Sequence, residues 1–400
     1  MMNKKTVLIS SVYGSEGGVV TMVDIARHFL KEEGYSTTLA YPVPYAADPE
    51  ISVPFWQLGQ RKPANRIYES TEQTSVGIGV YLPELEFSYY LLNKSWKMLI
   101  ERHAYHMAIS GNCLAALPLV QSRVPLLGWV ASPYYEDKRD RAATFHWARR
   151  AIDTTIISPA GRALEKFILT RAPIMTLSKY TEIFLRNIAR EAKLMQNLPI
   201  PIDRSLFNEN GRVSGTKKTI GFIGRALDPR KNIRLLLEAA AHCVSKFRDL
   251  KLWIIGCEPT PRIEREIREL LITDNIVFAP YMARKELVSL YRQLDLFVIP
   301  SLQEGLCIAG LEAMSCGCPV VSTRCGGPED FVMDGMNGYI VDFDAHAMAE
   351  KICQLLDDRV LWRRFSEEGI RLVEERYSLE SARRTFWRNF DAVFSERGQQ

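Results

Sequence analysis

No window of this 400-residue sequence approaches the roughly 18–20 uninterrupted apolar residues that a membrane-spanning helix needs, so that class is not expected. The start, "MMNKKTVLISSVYG", is basic, but its apolar run is short and no small-residue cleavage site follows, which points to the cytoplasm. Histidine is scarce, with six residues, and the eight cysteines are scattered. Only Cys316, Cys318 and Cys325 cluster, and their spacing has no companion histidine, so no metal site is expected. Small buried thiols in a reducing compartment are the reading that remains. A complete G-x-G-x-x-G is missing after the first apolar run, which disfavours a nicotinamide cofactor. Strong charge is lacking too. The net charge is +4, and the excess lies in residues 1–200, with 23 Lys/Arg against 18 Asp/Glu; residues 201–400 hold 28 against 29. This hints at an acidic partner for the first half without specifying nucleic acid.

What is present is a soluble globular composition, 47% hydrophobic and 24% charged, long enough for two domains. Short β-branched runs alternate with segments of helical period, the pattern of an α/β fold whose parallel sheets are covered by helices. In the first half "KTVLISSVY", "STTLAYP", "YHMAISG" and "PLLGWVAS" read as strands. "VVTMVDIARHFLKEEG" and "KYTEIFLRNIAREAKL" read as helices, the former stopped by Gly34. After residue 215 six strands follow: "KTIGFIG", "LKLWIIG", "NIVFAP", "LDLFVIPS", "PVVST" and "GYIVD". The stretch between is rich in Pro, Gly, Asn and charge and reads as a linker. The expected organisation is therefore two doubly wound, Rossmann-like domains, 1–200 and 217–375, with a linker at 201–216 and a terminal helix at 376–400. Ligands of such sheets sit outside the carboxyl ends of the strands, so the site is expected in a cleft between the domains.

Three segments carry candidate chemistry. "GSEGGVV" lies between the first strand and the first helix, where Gly17 and Gly18 allow close backbone approach and the helix start presents unpaired N–H groups to an anion. A plain strand-to-helix turn is the alternative. "GFIGRALDPRKN" repeats the arrangement in the second half, and Arg225 and Lys231 flank a turn where a diphosphate fits between a planar donor fork and a compact charge. Two solvated surface charges are the alternative. "SLQEGLCIAGLEAMSCGCPVVST" places Glu304 and Glu312 around a small, apolar run, where an unsatisfied carboxylate is costly. Either the two carboxylates meet the hydroxyls at the two ends of a sugar nucleotide, or Glu304 caps the helix and Glu312 pairs with an arginine.

Together, Glu304 and Glu312 as E-x7-E, the "GR...K" loop, "PS-x-x-EG", "EAM-x-x-G-x-PVV-x-T" and "GG-x-E" resemble the retaining glycosyltransferases of family 4, of GT-B fold. The resemblance is specific over residues 217–345 and looser before, where it rests on Gly17-Gly18, "TLSKYTEIFLR" and "PIDRSLF". It implies a first, acceptor domain and a second that binds a nucleotide-sugar donor. It further implies that Arg225 and Lys231 hold the donor diphosphate, Glu304 the transferred sugar, Glu312 the ribose, and the amides of Gly17 and Gly18 the donor phosphate or sugar, with Gly305 and Leu306 also among the donor-binding residues. No cofactor or metal is implied, because the nucleotide sugar is a substrate. The acceptor implied is a glycan or lipid-linked hydroxyl, as in bacterial surface polysaccharide synthesis. A sugar-nucleotide epimerase and a non-catalytic sugar-nucleotide binding protein are the alternatives.

The sequence departs from the family where many members carry a histidine near the transferred sugar; Ala131 and Ser132 stand there. His103 and His106 lie upstream, and Glu136-Asp137 follows as an acceptor-facing pair or a solvated loop. Pro280 stands where glycine is commoner, beside the expected place of the base. Finally, residues 138–171 hold eight Lys/Arg and three Asp/Glu interspersed with Phe145, Trp147 and Phe167, as in a basic face resting on anionic lipid at the inner side of a membrane. A solvated helix face is the alternative.

Overall fold

The computed structural model describes residues 5–12, 17–69, 74–135, 146–212 and 218–395. The chain divides into two compact units, one of residues 1–199 with 383–400, the other of residues 200–382.

Unit 1 is built on a seven-stranded sheet of β1 (Thr6–Ser10), β2 (Ser36–Val43), β3 (Asn65–Glu69), β4 (Thr74–Gly79), β5 (Tyr105–Ser110), β6 (Leu127–Val130) and β7 (Ile174–Thr176). Their order is β3-β4-β2-β1-β5-β6-β7, parallel except for the β3-β4 pair. Strands β1, β5 and β6 fall within the runs expected to be strands, and β2 extends its run by one residue, Val43. Val7, Leu8 and Ile9 are fully buried, as suits the middle strand of a sheet covered on both faces. The helix expected over 179–194 stops at Ile188, because the chain then turns back to the sheet: Ile174 N–H donates to the Lys193 carbonyl at 2.9 Å. Residues of the helix Leu379–Phe394 complete this unit. Phe386, Phe390 and Phe394 are buried in an aromatic cluster with Phe29, Tyr35 and Tyr105.

Unit 2 has six parallel strands, β8 (Thr219–Ile223), β9 (Lys251–Ile255), β10 (Ile276–Ala279), β11 (Leu296–Ile299), β12 (Val320–Thr323) and β13 (Gly338–Val341). Their order is β10-β9-β8-β11-β12-β13. All six lie within the expected runs. The order reverses beside β8 and β11, so the loops leaving these two neighbours open at the switch point where doubly wound sheets take ligands. Leu236, Leu252, Ile254, Leu296 and Val298 are fully buried beneath it, and each contributes roughly 1.5–3 kcal/mol against exposure. Phe207, in the stretch read as a linker, is fully buried in this unit; its carbonyl accepts the Ser315 hydroxyl at 2.6 Å.

Candidate active site

The loop after β11 is fixed from both sides. The Thr323 hydroxyl, at the end of β12, donates to the Ser301 carbonyl at 2.5 Å. Glu304 N–H donates to the Cys325 carbonyl, and Gly327 N–H to the Glu304 carbonyl, each at 2.8 Å. Gly327 makes this approach feasible, since a Cβ there would stand 2.5 Å from the Leu306 nitrogen and Cα. Sequence motifs far apart in the chain thus form one bracket around Glu304.

The Glu304 carboxylate turns inward. Its Oε1 accepts the Ser301 hydroxyl and the Lys231 ammonium, both at 2.6 Å. The side chains of Lys231 and Glu304 are only 17% and 10% exposed, so the pair is shielded from bulk water. Among the described residues Oε2 takes no hydrogen bond. Burial acts to lower the Lys231 pKa, but the Glu304 carboxylate outweighs it together with Cys307, and the net direction is up. Lys231 remains an ammonium, with two donors beyond the one used by Glu304.

Lys231 is carried by the loop after β8. Asp228 organises it: Oδ1 accepts Arg230 N–H at 3.1 Å, and Oδ2 pairs with the Arg230 guanidinium at 2.7 Å. The Arg230 carbonyl then accepts Leu302 N–H at 2.7 Å, which ties the loops after β8 and β11 together. Arg225, by contrast, is 78% exposed and only loosely paired with Asp228, 3.5 Å away. The structure therefore differentiates the two expected cations, one shielded on Glu304 and one in water.

Glu312 sits in the helix Ile308–Ser315, which starts after Cys307 in a left-handed conformation, φ 68°. Glu304 does not cap this helix. Glu312 Oε1 accepts from Arg284 at 2.8 Å and Oε2 from the Tyr291 hydroxyl at 3.0 Å. Burial pushes its carboxyl up; Arg284 and the Tyr291 hydrogen bond pull it back. The arginine pairing weighed in the sequence is what the structure contains. Arg284 itself is 46% exposed, so this carboxylate reaches solvent through its partner. Gly305 is partly exposed and Leu306 is buried.

In unit 1, Gly17 caps the helix Gly18–Glu32 with φ 103°, a conformation side-chain-bearing residues rarely adopt, and open space surrounds it. Gly17 and Gly18 are both exposed. Gly14–Glu16 and the Glu136-Asp137 pair lie outside the described residues. Ser132 donates its hydroxyl to the Gly111 carbonyl at 3.2 Å. His103 is spanned by the Leu99 carbonyl and the Thr38 hydroxyl, and burial lowers its pKa. His106, in the amino-terminal half of β5, is buried with Nε2 3.1 Å from the Ile100 carbonyl. His103 thus follows the helix Lys94–Arg102, and His106 is the second residue of β5.

Sequence reasoning missed Ser301, Arg284, Tyr291 and the Asp228-Arg230 pair. It also missed Glu165, whose Oε1 accepts Tyr134 N–H at 2.8 Å while its Oε2 is buried without a hydrogen-bond partner among the described residues. A carboxylate on the apolar side of the helix Ser158–Leu169, in step with Ile157, Gly161 and Ile168, was the available signal. Among the described residues no cluster of metal-ligating side chains occurs, all eight cysteines are free thiols, and no helix is long and apolar enough to cross a membrane.

Two Rossmann-like sheets, parallel but for the β3-β4 pair, define a protein of GT-B fold, the class of its structural neighbours. The Thermosynechococcus elongatus sucrose-phosphate synthase aligns over 98% of this chain and 99% of its own, with TM-score 0.74 and 18% identity. Anabaena HepE, solved with UDP and glucose, aligns over 97% and 100%, with TM-score 0.68 and 15% identity. Residues 203–372, within unit 2, match the family model described as Glycosyl transferases group 1. A curated relative, the D-inositol 3-phosphate glycosyltransferase of Corynebacterium urealyticum, is 33% identical over 181 residues, 43% of this chain. That match spans 40% of the relative's length.

Proposed function

We propose that the protein is a retaining glycosyltransferase that moves a sugar from a nucleoside diphosphate to a hydroxyl of a glycan or lipid-linked acceptor. The observation that carries this reading is the shielded Lys231–Glu304 pair in a group 1 glycosyltransferase domain, with donors left on Lys231 and an oxygen left on Glu304. Glu304 Oε2 accepts a hydroxyl of the transferred sugar, beside the amides of Gly305 and Leu306. Lys231 and the exposed head of Arg225 meet the diphosphate, together with the helix start at Ile308. Glu312, held by Arg284 and Tyr291, takes the ribose hydroxyls. The amides of Gly17 and Gly18 serve the donor phosphate or sugar.

The reaction breaks the bond from the anomeric carbon to the β-phosphate oxygen and forms one from the acceptor oxygen on the same face, so configuration is retained. The acceptor proton passes to the departing phosphate, whose charge Arg225 and Lys231 balance. This assignment uses no protein nucleophile and no cofactor. The UDP in the HepE neighbour makes UDP-sugars the first donors to try. A bacterial surface polysaccharide or glycolipid is the acceptor class proposed.

The test incubates UDP-glucose, UDP-N-acetylglucosamine and GDP-mannose with lipid-linked and soluble glycan acceptors, with and without EDTA. Nucleoside diphosphate release that requires acceptor and survives EDTA, with an α-linked product from an α-linked donor, supports the proposal. Release without acceptor favours an epimerase or hydrolase, and binding without release a non-catalytic protein.

A further inference from the structure

Two cysteines far apart in the sequence, Cys243 and Cys353, come together in unit 2, outside the site described above. Cys243 lies in the helix Ile233–Lys246 and Cys353 in the helix Ala345–Asp357. The two helices pack side by side, and three contacts mark their register. The His242 and His346 rings stand 5.6 Å apart, Cys243 Sγ is 3.8 Å from the Ala349 carbonyl oxygen, and the Lys246 ammonium pairs with Asp357. Cys353 is four residues after Ala349 and four before Asp357, on the same helix face. It therefore sits between the rungs made by Cys243 and Lys246, and its thiol shares a hydrogen bond with that of Cys243.

The two thiols are not alike. Cys243 is fully buried against the backbone of Ala349. Cys353 is only partly buried, at the edge of the same core. Lys246 lies beside it, as does Lys218, 3.9 Å from the same Asp357. Packing alone is served by alanine or valine at either place; a thiol on a thiol, with two ammonium groups nearby, is the arrangement of a reactive pair. The hydrogen bond from Cys243 and the ammonium charges hold the Cys353 thiol below its ordinary pKa, against burial and Asp357. Burial pushes the six cysteines outside the pair the other way.

We infer that Cys353 and Cys243 form a peroxide-reactive dithiol, a site of reversible oxidation in unit 2. The Cys353 thiolate attacks the terminal oxygen of a hydroperoxide. The O–O bond breaks, the departing alkoxide takes up the proton that the thiol released, and Cys353 becomes a sulfenic acid. The Cys243 sulfur then attacks the Cys353 sulfur. An S–S bond forms as the S–O bond breaks, and the departing hydroxide carries off the Cys243 proton as water. Two electrons pass from the pair to one peroxide, and a thiol reductant restores both thiols. The inference stands apart from the transferase reading, since its readout needs no sugar nucleotide.

The test treats the reduced full chain with hydrogen peroxide, blocks the remaining thiols in denaturant and maps the peptides by mass spectrometry. A linked Cys243–Cys353 peptide pair, lighter by two hydrogens and lost on adding dithiothreitol, is expected as the main product. In the native protein Cys353 should react with iodoacetamide on the order of tenfold or more faster than the fully buried Cys318, as thiolate character and access dictate. Cys243→Ser should stop the reaction at a Cys353 sulfenic acid that dimedone captures, and Cys353→Ser should abolish oxidation of Cys243. Thermal melts check that both variants fold, and the wild-type peptide map decides even where one does not. A persistent sulfenic or sulfinic acid on Cys353 with Cys243 intact, a bridge to any other cysteine, two unreacted thiols, or alkylation of Cys353 no faster than that of Cys318 overturns the proposal.

Discussion

Lys231 and Glu304, 73 positions apart in the chain, meet at 2.6 Å between two loops that the Arg230-to-Leu302 backbone hydrogen bond already holds together. The pair therefore has a structural share as well as a chemical one. Lys231→Met strands a shielded carboxylate and is expected to cost roughly 3 kcal/mol of stability, the scale of breaking a buried pair. In Lys231→Met/Glu304→Gln the loss should be smaller than the sum of the single losses. A double-mutant cycle from urea denaturation measures the coupling.

The two glutamates should separate by ligand. Glu312→Ala is expected to weaken binding of free nucleoside diphosphate and of nucleotide sugar alike, by the roughly 1.5–3 kcal/mol of one charged hydrogen bond. Glu304→Ala should leave nucleoside diphosphate affinity nearly intact and lower turnover, because its contact counts most as the sugar gains positive character. Calorimetric titration of both variants with both ligands decides. Equal losses throughout would reduce the carboxylates to supports for the helix Ile308–Ser315.

Gly327→Ala forces a methyl against the backbone of Gly305 and Leu306 and must displace the loop that bears Glu304. Turnover is expected to fall more than about tenfold, a misplacement effect. Gly335→Ala is the control: its φ of 72° penalises a side chain, but nothing lies within 4 Å of the new methyl. It should lower the melting temperature and leave turnover unchanged.

Glu165 gives a pH signature. Burial pushes its carboxyl up to about 7, against the hydrogen bond from Tyr134, the Cys113 contact and the charge of Arg162. The folded state thus holds a proton that the unfolded state has released between about pH 4.5 and 7. Its stabilising contribution is full below the unfolded pKa and is lost as pH rises through the folded one, up to about 3 kcal/mol. Glu165→Gln, neutral at every pH, should be more stable than the parent at pH 8 and indistinguishable near pH 4.5. Chemical denaturation at both pH values checks the sign.

The legible parts of the sequence were those whose physics is local. Unit 2's strands were readable because each β-branched run ends at a Gly, Pro or polar turn. Strand β7 has three residues, too few for a period, and the two glycines of β4, "TSVGIG", weaken it as a strand signal. Glu304 and Glu312 stood out as carboxylates in an apolar run. Their partners did not, since nothing in "ARKEL" marks Arg284 among its neighbours, and Ser301 gains its meaning only when the loop folds back. Phe207 was hidden by the Pro, Gly and Asn around it, though it anchors unit 2.

Order of synthesis follows from the aromatic cluster around Phe29. Residues 386–394, which fill it, leave the ribosome only after all of residues 200–382. Unit 2 is contiguous and can fold as soon as it emerges, whereas unit 1, begun first, waits with Phe29, Tyr35 and Tyr105 uncovered. The half made earliest is closed last, and during that interval its apolar surface is what a nascent-chain chaperone would meet.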